Sequence, residues 1–189
     1  MRKLIIPGGV AALAVAIGVA VVLAVSGSGG PGQADPALAA QDPLGKELAA
    51  VRAATARYQR VEEAIADGYV ADGFCVSSPE GTMGDHHVKF ALLGDGQLDP
   101  TQPEILVYLP EENGRLRLVA VEYFMPDADG DLATSDDKPS LFGQPFDGPM
   151  PGHNAEMPVH YDLHVWLWAN NPEGQFAPWN TSLTCPPAE

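Results

Sequence analysis

Five histidines occur in the chain, and four fall in two short clusters, Gly84-Asp85-His86-His87 and His160-Tyr161-Asp162-Leu163-His164. Imidazole is the commonest protein metal ligand and the side chain whose charge changes near neutral pH. Clusters of it therefore point to a site. A carboxylate belongs with them: Glu122 stands in a run, Arg115–Phe124, that is apolar on both sides near its end. Buried there, it takes up a proton or finds a cation, because desolvating a lone charge is costly. An arginine or an imidazolium would serve, and so would a metal.

One of His86 and His87, with Glu122, His160 and His164, can thus surround a divalent transition metal. Imidazole and carboxylate suit Zn, Fe, Mn, Ni or Cu, and the ligand set does not choose among them. One spacing resists the idea. In an extended strand His160 and His164 are about 13 Å apart, at roughly 3.3 Å per residue. Either the strand bends, or one histidine ligates and the other acts behind it.

A second cation candidate is the run Asp127, Asp129 and Asp131, with Asp136 and Asp137 following. Alternate carboxylates match the first ligands of an EF-hand, but Leu132 replaces the required glycine and Lys138 the bidentate glutamate. An EF-hand is rejected. A looser calcium loop stands against a plain solvated acidic turn. No Gly-x-Ser-x-Gly elbow, phosphate-binding loop or dinucleotide fingerprint occurs. Asn180-Thr181-Ser182 matches a glycosylation triplet, a match common by chance.

The positioning elements are legible in outline. Asp42-Pro43 starts a helix, with Asp as cap and Pro at the first helical position. Leu44, Leu48, Val51, Tyr58, Val61 and Ile65 then predict one apolar face over roughly 43–67, closed by Gly68. Tyr69–Val76, His86–Leu93, Ile105–Leu109, Arg115–Phe124 and Val159–Trp168 read as strands. Asn113-Gly114 marks a hairpin between the third and fourth. Residues 126–158 form an irregular excursion.

In the last strand, alternation puts Tyr161, Leu163 and Val165 on one face, and His160, Asp162, His164, Trp166 and Trp168 on the other. In the fourth it groups Leu116, Leu118 and Ala120 with Glu122 and Phe124. The expected fold is α+β: one N-terminal amphipathic helix packed on a curved antiparallel sheet or small barrel.

Composition sets the setting. The chain has 189 residues and a formal charge of -15, with 10 basic residues against 25 acidic ones. That excludes nucleic-acid binding by phosphate neutralisation and docking on anionic lipid. Arg2 and Lys3 precede an uncharged stretch from Leu4 to Val25, the pattern of a signal peptide or an N-terminal membrane anchor over 1–25. Membrane contact is expected only there. Residues 26–42 read as a flexible linker, and 43–189 as one extracytoplasmic domain, secreted or held at the outer face of the cytoplasmic membrane. Cys75 and Cys185 are the two cysteines, and in an oxidising compartment they read as a disulfide.

The function these features favour is binding of a metal ion or small ligand in a His/Glu-lined pocket. The alternatives are a structural or interaction module with a merely hydrogen-bonded polar core, and a metalloenzyme using Glu122 or Asp162 as general base. Nothing in the sequence speaks to oligomeric state.

Overall fold

The computed structural model describes residues 42–153 and 157–187. The leader, its Ala37-Leu38-Ala39 cleavage candidate and all of the linker except Asp42 lie outside the described residues. Among the described residues no helix is long and apolar enough to cross a membrane.

Helix α1 (Pro43–Thr55) begins as expected: Asp42 is extended at φ -82, its carboxylate accepts the Leu44 N–H at 3.1 Å, and Pro43 opens the first turn. It does not run on to residue 67. A short 3₁₀ turn covers Ala56–Gln59, Arg60 is extended, and α2 (Val61–Ala66) restarts beyond it. In an unbroken helix the Tyr58 carbonyl would accept the N–H four residues on. Here it accepts the buried Tyr108 hydroxyl at 2.7 Å instead.

The strands follow as β1 (Val70–Ser78) and β2 (Gly81–Val88), then the single turn α3 (Phe90–Leu93), β3 (Ile105–Pro110) and β4 (Leu116–Pro126). The excursion holds a small hairpin of β5 (Ser140–Leu141) and β6 (Gln144–Pro145), then β7 (Asp147–Met150). The last strand is β8 (His160–Val165). Six strands form one antiparallel sheet, ordered β1-β2-β3-β4-β8-β7, curled into a half-barrel with the helix beside it. The fold is mixed α+β.

Two differences from the expected strands matter. The run His86–Leu93 is not one strand: its first residues end β2, which starts at Gly81, and Phe90–Leu93 turn helical. In β4, Val107 pairs with Ala120 but Tyr108 with Leu118, so Val119 is an extra, bulged residue. The bulge reverses the parity of the strand's first half. Leu116 and Leu118 join Val121 and Tyr123 on one face, while Val119, Ala120 and Phe124 share the other.

Each face of the sheet is buried. One packs Leu106, Tyr108, Tyr123, Tyr161 and Leu163 against Val51, Tyr58 and Ala64 of the helical segment. The opposite face collects Val88, Ile105, Val107, Ala120, Phe124 and Trp166, with Leu183 of the C-terminal tail against them. Cys75 and Cys185 form a disulfide with sulfurs 2.09 Å apart, pinning that tail to β1. An isolated bridge between Thr82 and Asn180 holds it further.

Candidate metal centre

Three side chains converge on the face away from the helix. In the β4–β8 ladder Glu122 lies directly opposite His164, so alternation aims both the same way. His86 comes from β2, on the far side of β3, where it pairs with Val107 while Ile105 pairs with Glu122. Neighbouring strands are about 4.8 Å apart, so β2 and β4 are separated by roughly 10 Å of backbone. Two long side chains reaching over β3 close that gap.

Glu122 Oε2 stands 3.1 Å from His86 Nε2 and 3.2 Å from His164 Nε2. Each of the three residues offers a ligand atom within 4.8 Å of the others. All are buried: His86 at 7 %, Glu122 at 3 % and His164 at 0 % exposure. Despite the short distances, Glu122 Oε2 and both nitrogens of His164 have no hydrogen-bond partner among the described residues. Ligands around one ion at 2.0–2.2 Å stand about 3.0–3.6 Å apart with lone pairs aimed between them, and these contacts fall in that range. This buried group can hold a metal ion.

The electrostatics are asymmetric. Burial works against the charge on Glu122, but His164 and His86 outweigh it and hold the carboxyl down at about 2. Burial likewise opposes a charged His86, and Glu122 with Asp72 and Asp85 more than offsets it, so its pKa is raised. Burial prevails at His164, which is lowered. Of the two histidines, His86 is the one whose charged form the site favours. The face can bind a cation, or with a bound ion polarise a ligand oxygen as a Lewis acid.

The other candidates lie elsewhere. His87 points to the opposite face, its ring 4.6 Å from that of Tyr108, because adjacent strand residues face opposite ways. His160 shares the face of His164 but stays out of the converging group. Its ring stacks on Phe124 at 4.7 Å, and its Nδ1 lies 3.0 Å from the Pro158 carbonyl. Their four-residue separation along β8 keeps the two histidines apart. Asp162 lies between them on that face, and burial, with Glu122 and Asp147 nearby, raises it to about 9. It is neutral near pH 7, which does not suit a general base.

The candidate calcium loop is a run of turns closed on its own backbone. Asp127, Asp129 and Asp131 accept the N–H groups of Asp129, Asp131 and Ala133 in successive turns, at 3.3, 2.8 and 2.9 Å. Their carboxylates secure the loop backbone and do not converge: among the described residues only His86, Glu122 and His164 form a ligand group. Asn180 is fully buried and donates to the Asn170 carbonyl at 3.0 Å.

Sequence reasoning missed Asp72, whose carboxylate lies 3.7 Å from His86 Nδ1. At that distance it is a charged neighbour and not a hydrogen-bond partner, and it helps to raise His86. The signal was there. Asp72-Gly73 inside a strand pattern marks a bulge, and β1 loses register between Ala71 and Cys75, with Gly73 at φ 93.

A cavity of about 450 Å³ opens onto the group from the His86 and Glu122 side. Its walls are Phe74, Val88, Phe90, Leu93, Ile105 and Met157, with Asp72 and His153 also facing it.

No known family model matches the chain, and neither a curated protein nor a solved structure matches it.

Proposed function

We propose that this chain is an exported domain, released or tethered through its N-terminal segment, that binds one divalent transition metal through His86, Glu122 and His164. The observation that carries the reading is a buried carboxylate oxygen within 3.2 Å of two imidazole nitrogens. The cavity supports an open coordination side: His86 and Glu122 line it, whereas His164 does not. The disulfide supports the export half, since such bonds persist in oxidising compartments.

A structural ion-pair cluster is the rival reading, favoured by the opposite shifts of His86 and Glu122. Elemental analysis of protein purified without chelators separates the two. The metal reading expects about one equivalent, and a melting temperature raised by added Zn, Cu or Mn. Less than about a tenth of an equivalent, with no rise for any of the three, would end it in favour of the cluster. Recovery of the full chain from the cytosol with two free thiols would end the export half.

A further inference from the structure

The walls of the cavity say what the open side of the centre would receive. We propose that the site takes a small molecule with an apolar, aromatic-sized body and one oxygen-donor head. The head would sit on the metal held by His86, Glu122 and His164, and the body between Phe74 and Phe90. The proposal rests on the metal reading above and names the ligand class for that site.

The lining residues differ widely in exposure. At the bottom, Glu122 and His86 are buried together with Ile105 and Val88, at 2 % and 8 % exposure. At the mouth, Phe74 and Phe90 are 58 % and 66 % exposed, two of the most exposed large apolar side chains among the described residues. Phe74 follows the β1 bulge, and Phe90 opens α3, the turn where β2 stops being a strand. Both departures from regular structure thus set an aromatic ring at one opening. A solvated polar ligand gains nothing from such walls, whereas an apolar body removes them from water. A volume of about 450 Å³ suits a compact ligand rather than a polymer segment.

Charge narrows the head group. The mouth carries Asp72, the base carries Glu122, and the chain's net charge is -15. A multiply charged anion is repelled throughout. A neutral or singly charged oxygen donor is accepted, because a divalent ion outweighs Glu122 by one charge at the base before Asp72 at the mouth offsets it.

Cobalt(II)-loaded protein provides the test, its visible spectrum reporting the head group and titration the affinity. Benzohydroxamate and acetohydroxamate share one metal-binding head and differ in the body. Benzohydroxamate should bind at least roughly tenfold tighter, since its ring alone buries apolar wall. Phe74→Ala and Phe90→Ala, both at exposed positions, should weaken benzohydroxamate and leave acetohydroxamate and cobalt content unchanged. Equal affinities, no binding of either probe, or indifference to both substitutions would overturn the ligand class while cobalt is retained. Failure to retain cobalt would overturn the metal reading and this one with it.

Discussion

Replacing Glu122 by Gln tests the centre most directly, because it keeps the shape and removes the charge. In the metal-free chain the change strips His86 of the carboxylate 3.1 Å away. The carboxamide still offers one acceptor, so the cost should be about 1–3 kcal/mol, the range for disturbing a buried polar partner. His86 then loses the largest of the influences that raise its pKa, while Asp72 and Asp85 remain. The metal-bound state suffers far more. An amide oxygen is a poor replacement for one of three ligands, and affinity should fall beyond the roughly 10–100-fold typical of losing an outer partner. Zinc at a hundred times its Kd stabilises the wild-type fold by about 2.7 kcal/mol. At about 2–4 °C per kcal/mol for a domain of this size, its melting temperature should rise by roughly 5–10 °C. E122Q should rise by less than about 1 °C under the same zinc. The assay is calorimetry after chelator treatment, with and without added zinc. An E122Q protein that gains as much as wild type would refute the role given to this carboxylate.

Other consequences are equally measurable. Removing the disulfide by C75A/C185A frees a loop with a sequence separation of 110 and should cost up to about 5 kcal/mol in urea titration; a loss under about 1 kcal/mol would contradict that. Glu104 is 1 % exposed, and its carboxylate accepts the Phe124 N–H at 3.2 Å. Burial lifts it from an ordinary 4.5 to about 7. The folded chain therefore holds a proton that the unfolded chain releases above 4.5. This contribution is fully present below 4.5, declines as pH rises and is gone above about 7, amounting to roughly 3 kcal/mol. E104Q should match wild type near pH 4 and exceed it at pH 8 by up to about 3 kcal/mol, and identical pH profiles would count against this. Gly84 has φ +129, and a Cβ there would meet the Tyr108 carbonyl oxygen at 2.6 Å. G84A should cost about 2–5 kcal/mol and lower metal content by displacing β2; a variant as stable as wild type would exclude that close approach.

Strand β8 was readable because its two faces differ in kind, Tyr161, Leu163 and Val165 against His160, Asp162 and His164. Strand β4 hid its parity. Apolar residues lie on both sides of Val119, so an inserted residue leaves the pattern unchanged, and only the pairing with Val107 and Tyr108 exposes it. Glu122 lies beyond the bulge, which is why its burial was predicted correctly although Leu118 was placed on the wrong face. His86 and His87 could not be ranked from the pattern, since the choice depends on which face Tyr108 already fills. The break at Arg60 was hidden for a similar reason: the Tyr58 carbonyl beside it is taken by a hydroxyl 50 residues away. Local pattern carries local structure, and these features were decided by distant partners.

The disulfide also changes what a protease can do to this molecule. His86, Glu122 and His164 all lie between Cys75 and Cys185, so every residue that would hold the ion belongs to one covalent ring. A single nick in the exposed acidic turn around Asp129 would leave both fragments joined, with the ladders on either side still in register. Only reductant would part them. The helical segment before Cys75 stands outside that ring, and its loss would leave the ring unbroken.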